Sequence, residues 1–213
     1  MAISKVISNE SLSEYTYVLR TERPDVAIKA GQCFSVGTSE LGINREYSMY
    51  SDANAPYVDY LIREVPEGRV SSALRKRGPG SNVEVSGPFG EFCLPDEKIE
   101  GSKFIFIASG TGIAPFHSFV KTYPKLDYKI LHGIRHESEN YDSEHYIDEC
   151  YTSYISQPSS GTSRRVTDGL SRHNFTGNEI FYLCGNRNML VDCITILRDK
   201  KIHGDSIFME TFF

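Results

Sequence analysis

The 213-residue sequence has no CxxC pair, and its five cysteines stand singly at positions 33, 93, 150, 184 and 193. That spacing excludes a zinc cage and a four-cysteine iron–sulfur loop, and the odd count argues against a disulfide framework. A reduced, cytoplasmic protein is the expectation. Basic charge is also in short supply, with 23 Lys+Arg against 28 Asp+Glu and a formal net charge of −5. A general nucleic-acid binder would carry the opposite field, so no nucleic-acid partner is expected. Long apolar runs are missing too. The most apolar stretch, Phe104 to Ala108, is far too short to span a bilayer, and the opening MAISKVISNESLSEYTYVLR alternates without a secretory core. A soluble protein without membrane insertion follows. No internal repeat, low-complexity tract or GxGxxG fingerprint is present. What the chain does have is 39% apolar and 24% charged residues with 13 tyrosines and 12 phenylalanines, which suits a globular chain of one large or two small domains.

Two textures meet near Pro95 to Gly101. Over residues 1–98, short β-rich runs (SEYTYVLRT, GQCFSVGT, REYSMYS, YVDYLIREV, NVEVSGPFGEF) alternate with turn residues, and this predicts a small antiparallel barrel or sandwich. One helix, VSSALRKRG, is expected there, beginning beside Gly68. Over residues 101–213 the pattern becomes strand, turn, helix. KFIFIASG, DYKILHGIR, YTSYISQ, EIFYLCGN and DSIFMETFF read as strands, and TGIAPFHSFVKTY, SEHYIDECY and NMLVDCITILRDKKI as helices. Leu190, Ile194 and Leu197 mark the apolar face of the last helix, and QPSSGTSRR reads as an exposed loop. Alternating β and α units predict an open parallel sheet whose ligand crevice lies beyond the carboxyl ends of its strands.

Four motifs carry chemistry. Ser109-Gly110-Thr111-Gly112 follows a strand and opens a helix, where glycines and a helix start can admit a pyrophosphate. Leu183-Cys184-Gly185-Asn186 repeats that placement at another strand end. Arg45-Glu46-Tyr47-Ser48 puts a guanidinium and a ring on one face of a strand, suited to a diphosphate and a flat heterocycle, with a serine beside them. Gly68-Arg69-Val70-Ser71-Ser72 leads into the short helix and offers further phosphate donors. Each also has a plain structural reading: a tight turn, a buried apolar cysteine, or an edge strand with a surface arginine.

Together with GPFGEF and the ending ETFF, these motifs stand in the order found in the ferredoxin–NADP+ reductase superfamily, which the chain resembles from about Gly31 to Phe213. The resemblance implies an FAD-binding barrel followed by a Rossmann-like NAD(P) domain. It implies that Arg45 holds the FAD pyrophosphate, Tyr47 stacks on the isoalloxazine and Ser48 bonds flavin N5. Arg69, Val70, Ser71 and Ser72 correspond to the segment covering the pyrophosphate. Gly110, Thr111 and Gly112 correspond to the loop under the nicotinamide, and Cys184 and Gly185 to the pair beside its ring. Glu210 corresponds to the glutamate serving proton supply and acceptor coupling, and Phe212 or Phe213 to the terminal aromatic over the flavin. The implied catalytic set is Ser48, Cys184 and Glu210, for hydride transfer between nicotinamide C4 and flavin N5 coupled to one-electron exchange with ferredoxin or flavodoxin as a separate carrier. A flavin or ferric reductase, or an oxygenase reductase component, is the alternative.

For NADP, a 2′-phosphate needs cations near the ends of the second and third strands of the nucleotide domain. Arg135, Ser156, Arg164 and Arg165 are the candidates, and no acidic residue stands where a ribose hydroxyl would favour one. The Ser156-Gln157 pair lacks the arginine usual in the superfamily, which keeps NAD as the alternative. Arg75, Lys76 and Arg77, and likewise Arg198, Lys200 and Lys201, form basic runs that could steer an acidic carrier. His132, His136 and His145 stand near four acidic residues but at no metal-binding spacing, so a polar surface loop is expected there. His117 reads as a packing residue on its helix.

Overall fold

Along Thr16–Glu22 (β2), Tyr17, Leu19 and Thr21 are buried while Val18, Arg20 and Glu22 face outward, the period of two that a half-buried strand requires. The computed structural model describes residues 2–212. Five other strands join this one: β1 (Ala2–Ser11), β3 (Cys33–Thr38), β4 (Ile43–Ser48), β5 (Tyr57–Arg63) and β6 (Asn82–Phe89), in the order β4-β3-β6-β1-β2-β5. Every pairing is antiparallel. Bulges between Val6 and Ser8 and between Cys33 and Ser35 add the curvature. The outermost strands then meet through a Met49–Tyr60 bridge, with the Tyr50 N–H donating to the Asp59 carbonyl at 2.8 Å. The sheet therefore curls on itself in barrel fashion around Tyr17, Leu19, Phe34, Val36, Met49 and Tyr60. Helix α1 (Arg69–Arg75) turns Val70 and Leu74 into this interior.

The second sheet is parallel throughout: β7 (Lys103–Ser109), β8 (Asp127–Ile134), β9 (Tyr151–Ile155), β10 (Ile180–Gly185) and β11 (Ile207–Thr211), ordered β11-β10-β7-β8-β9. The chain starts at the middle with β7, moves outward to β9, then returns to the other side of β7 with β10. Helices α3 (Val166–Arg172) and α4 (Arg187–Asp199) bury Val166, Leu170, Leu190, Cys193 and Leu197 against Ile105, Ile107, Leu131 and Leu183. The opposite face is aromatic. Phe106 meets Tyr182 edge-on at 6.2 Å, and Tyr182 stacks on Phe208 at 4.8 Å.

Compactness groups the chain unevenly. Helix α2 (Ala114–Thr122) follows β7 but is counted with the residues up to Leu94, while Pro95–Ile113 and the chain from Tyr123 onward form the other unit. Phe116 and Phe119 of α2 pack on Phe92 with ring centroids 6.2 and 6.4 Å apart. His117 stacks on Tyr50 at 3.9 Å, and the Ala53 N–H donates to Thr122 Oγ1 at 2.9 Å.

The sequence reading is corrected at several elements. The helix expected over SEHYIDECY is two 3-10 turns, Ser143–His145 and Asp148–Cys150. Between them Tyr146 is extended and buried, stacked on Tyr151 at 4.9 Å. Placing that ring outweighs continuing a short acidic helix. Strand β1 adds to the strands expected from the sequence, and Val6 alone is buried along it, so no apolar alternation marks it. Helix α3 adds to the expected helices; it is short, and its Gly169 is there because a Cβ would lie 2.0 Å from the Tyr154 ring. No helix among the described residues is long and apolar enough to cross a membrane.

Candidate functional site

In the first unit, β4 carries the Arg45-Glu46-Tyr47-Ser48 motif. Arg45 and Tyr47 share a face, and the guanidinium lies close enough to oppose the burial that raises the Tyr47 phenol to about 12. Tyr47 in turn sits within electrostatic range of Tyr17, whose hydroxyl donates to the Ser71 carbonyl at 2.6 Å. The structure thus brings Arg45, Tyr47 and the start of α1 together. At that start Gly68 makes no side-chain cap, so the leading N–H groups at Arg69, Val70 and Ser71 are those a helix leaves for an outside acceptor. The side chains divide: Arg69 is exposed and Ser72 half-buried, whereas Val70 faces the core. Ser71 Oγ accepts the Val65 N–H at 3.1 Å and holds the preceding turn. Ser48 lies on the opposite strand face from Arg45 and Tyr47 and is buried. An exposed guanidinium, an adjacent ring and uncapped amides fit the pyrophosphate and ring of a flavin dinucleotide.

In the second unit the chemistry gathers at the carboxyl ends of β7 and β10, the point where strand order reverses. The Gly110–Ile113 turn meets the Cys184–Gly185 backbone so closely that a Cβ at Gly112 would lie 2.3 Å from the Cys184 carbonyl oxygen. Gly185 has φ +146°, and a Cβ there would lie 2.1 Å from Ser109 Oγ. That same Ser109 hydroxyl accepts from the Asn186 backbone N–H (3.1 Å) and side-chain amide (3.0 Å). Asn186 Oδ1 caps α4 by accepting the Met189 N–H at 3.0 Å. Cys184 stands in register between Ala108 and Glu210, and all three share the face of Phe106, Tyr182 and Phe208. Burial, reinforced by the Glu210 carboxylate, pushes the Cys184 thiol well above its ordinary range. It acts as a thiol at neutral pH, not a thiolate. The Phe212 N–H donates to the Gly185 carbonyl at 2.9 Å. Phe213 lies outside the described residues. Two strand-end turns packed so closely that Gly112 and Gly185 admit no side chain suit the approach of a dinucleotide.

The 2′-phosphate candidates converge at the ends of β8 and β9. Ser156 bonds the Ile134 carbonyl through both its N–H (2.9 Å) and its hydroxyl (3.1 Å), and the Gln157 N–H donates to the Arg135 carbonyl at 2.8 Å. Arg164 is tied to the Ile155 carbonyl, and the Arg165 N–H donates to Asp168 Oδ2 at 2.7 Å. Arg164 also lines a cleft of about 240 Å³ with Tyr154, Asp168, Gly169, Arg172 and His173. The expectation that no acidic residue stands at this strand end is corrected: Glu137 and Glu139, read from the sequence as part of a polar histidine loop, lie here. Glu139 Oε2 accepts the Arg135 N–H at 3.0 Å, and Glu137 Oε1 accepts the Ser159 N–H and hydroxyl. Their positions just after a strand end were the available signal.

The basic runs are less free than their sequence suggests. Arg75 pairs with Glu64 at 3.2 Å and Arg77 with Glu40 at 2.8 Å. Lys200 donates to the Ser171 and His173 carbonyls at 2.7 and 2.8 Å, closing the end of α3. Lys76, Arg198 and Lys201 are exposed. The expected surface histidine loop is also corrected at one position. His132 lies inside the parallel sheet on β8 and is fully buried, because its alternate neighbours Ile130 and Ile134 face inward with it.

Residues 3–93 match the family model for the oxidoreductase FAD-binding domain. The reductase subunit of an aromatic O-demethylase from Amycolatopsis is 31% identical over 55% of this chain and 37% of its own length. The electron transfer component of toluate 1,2-dioxygenase from Pseudomonas putida is 25% identical over 99% of this chain and 66% of its own. The chain thus spans between about one third and two thirds of these curated relatives. Among solved structures, a ferredoxin NADP+ reductase from Neisseria gonorrhoeae with bound FAD and NADP superposes with a TM-score of 0.84 at 22% identity, covering 100% of this chain and 98% of that one. Residues 3–93 thus match an oxidoreductase FAD-binding domain, and the barrel followed by a parallel sheet is the fold of that ferredoxin NADP+ reductase.

Proposed function

We propose that the protein moves reducing equivalents between NADP(H) and a separate one-electron carrier, ferredoxin or flavodoxin, by way of FAD. The observation that carries this reading is the pairing of the Gly110–Ile113 turn with Cys184–Gly185 at the reversal of strand order, alongside an FAD-binding domain. When bound, FAD supplies the conversion of a two-electron hydride exchange into single-electron steps. The chain supplies binding and orientation. Arg45 and the amides at the start of α1 neutralise a diphosphate, and Tyr47 offers a ring face. Gly110, Thr111 and Gly112 admit the dinucleotide closely, with Cys184 and Gly185 forming the other wall. Glu210, beside Cys184, holds a carboxylate where proton exchange with solvent is needed, and Phe212 supplies the aromatic end. Arg135, Ser156, Arg164 and Arg165 gather where a 2′-phosphate would lie and support NADP. Glu137 and Glu139 at the same strand end favour a ribose hydroxyl and support NAD as the competing substrate.

A second reading has specific support: the two relatives described above are named as a reductase subunit and an electron transfer component of oxygen-inserting systems. Under it the acceptor is an oxygenase or its iron–sulfur partner. Anaerobic reduction of the flavin-loaded protein by NADPH and by NADH, followed by mixing with ferredoxin, flavodoxin or an oxygenase component, separates the two. Faster reduction by NADPH with reoxidation by ferredoxin or flavodoxin is expected. Reoxidation by the oxygenase component alone transfers the conclusion to the second reading, and a protein that retains no flavin overturns both.

A further inference from the structure

Beneath the Gly110–Ile113 turn lies a buried polar chain that no part of the function above uses. His132 Nε2 is 2.8 Å from the Gly110 carbonyl oxygen, and His132 Nδ1 is 2.8 Å from the Tyr151 hydroxyl. The Tyr151 hydroxyl also donates to Asn140 Oδ1 at 2.5 Å. Tyr151 is held in place by its stack on Tyr146, and Tyr141 lies 6.4 Å from the imidazole. A buried histidine using both ring nitrogens in this way is placed by its surroundings.

Counting protons fixes the tautomer. A carbonyl oxygen only accepts, so the proton must sit on Nε2. Three hydrogen bonds need three protons, and a neutral imidazole with one phenol supplies two. The Tyr151 proton is therefore shared between Asn140 Oδ1, at an O–H···O distance of 2.5 Å, and His132 Nδ1, and the ring's one proton stays on Nε2. The ring then stays neutral, in keeping with full burial, which depresses its pKa to about 4. The consequence for the turn follows from peptide geometry. In a planar trans peptide the C=O and the next N–H point in opposite directions. Holding the Gly110 carbonyl against the interior imidazole therefore aims the Thr111 N–H away from it, on the outward side of the turn. Gly110 itself sits at φ +53°, a left-handed conformation that glycine adopts without a Cβ penalty.

We infer that His132 is a positioning residue for nicotinamide-dinucleotide binding: as the Nε2–H tautomer, fixed by Tyr151 and Asn140, it orients the peptide between Gly110 and Thr111 so that its N–H is presented to the ligand. This rests on the reading that the Gly110–Gly112 turn receives the dinucleotide.

The test uses the flavin-loaded protein with wild type, His132→Phe, His132→Gln and Tyr151→Phe. Glutamine can return an amide donor near the Nε2 position; phenylalanine fills the space without one. NADP+ and NAD+ dissociation constants are measured by calorimetry, and the imidazole nitrogens of wild type are observed by NMR. Phenylalanine at 132 weakens dinucleotide binding about tenfold, the worth of one hydrogen bond, with flavin content unchanged. Glutamine restores binding to within about threefold of wild type on the same scale, and Tyr151→Phe falls between them. NMR finds the proton on Nε2 through neutral pH. Binding by His132→Phe within twofold of wild type, or a proton on Nδ1, overturns the inference. Should His132→Phe fail to fold, the wild-type spectrum and Tyr151→Phe decide it. If wild type binds neither dinucleotide, the functional reading fails instead; if Gly112→Ala loses binding while His132→Phe keeps it, only the positioning role falls.

Discussion

Replacing Gly112 with alanine should separate nicotinamide binding from flavin binding. The added Cβ would lie 2.3 Å from the Cys184 carbonyl oxygen, 2.7 Å from its carbonyl carbon and 2.9 Å from Gly185 Cα. Ordinary contact begins at 3.4 Å, so the two backbones must part by about 1 Å. None of the opposing atoms is the free end of a side chain. Cys184 and Gly185 are pinned by pairing to β11 and, for Cys184, to Ala108 of β7. The Gly110–Ile113 turn must therefore give way, and a displacement of about 1 Å at a positioning loop costs on the order of 10²-fold in productive binding. Gly110→Ala serves as the comparison. Its Cβ would meet nothing within 4 Å, and the left-handed φ of +53° costs only about 1–2 kcal/mol. The assay is the dissociation constant for NADP+ together with kcat/KM for NADPH, with flavin occupancy read from absorbance. Gly112→Ala should lose about 10²-fold in both while retaining flavin. An NADP+ affinity within threefold of wild type would refute the contact argument, and parallel loss of flavin would show that the perturbation spreads beyond the turn.

Three further outcomes are expected. His132 has a folded pKa of about 4 against about 6.5 when unfolded, so the unfolded chain binds more protons between those values and stability falls as pH drops through that window. At pH 5 the loss is about 2 kcal/mol relative to neutral pH, read as weakened amide protection along β8, and His132→Gln should abolish that slope; an unchanged slope contradicts it. Asp59→Ala removes both acceptors of the Arg20 guanidinium (2.7 and 2.8 Å), and with Arg20 one-third exposed the barrel should lose about 1–3 kcal/mol in urea unfolding; a loss below 0.5 kcal/mol would make this an ordinary surface pair. Iodoacetamide at pH 8 should modify the partly exposed Cys93 and Cys150 before Cys184, whose thiol is buried and hard to ionise; early labelling of Cys184 by mass spectrometry would contradict that environment.

The two-sheet architecture was legible because its signals are local. Thr16–Glu22 alternates, and Phe104–Ala108 is uniformly apolar because β7 is covered on both faces. The glycine turns after β7 and β10 were legible for the same reason: a strand, a glycine and a helix start lie next to one another in sequence. Sequence reading groups His132 with the charged stretch that follows it, although its alternation with Ile130 and Ile134 on β8 is the local sign that it is interior. The rest of what escaped depends on tertiary neighbours. The stack of Tyr146 on Tyr151 dissolves a helix that its composition permits. Nor does a run of basic residues reveal that Arg75 and Arg77 already face Glu64 and Glu40. Ser71 reads as a phosphate donor in sequence, and only the fold shows its hydroxyl holding the Val65 amide.

The allegiance of α2 bears on how such a chain can be recombined. Its Phe116 and Phe119 complete an aromatic cluster with Phe92, and Thr122 anchors Ala53, although the helix follows β7 in the polypeptide. A chimera cut near residue 100 and joined to a foreign second half would inherit an α2 shaped for someone else's Phe92. The transplantable unit is discontinuous, the residues up to Leu94 plus Ala114–Thr122, so exchange of halves in this scaffold requires three junctions, after Leu94, Ile113 and Thr122.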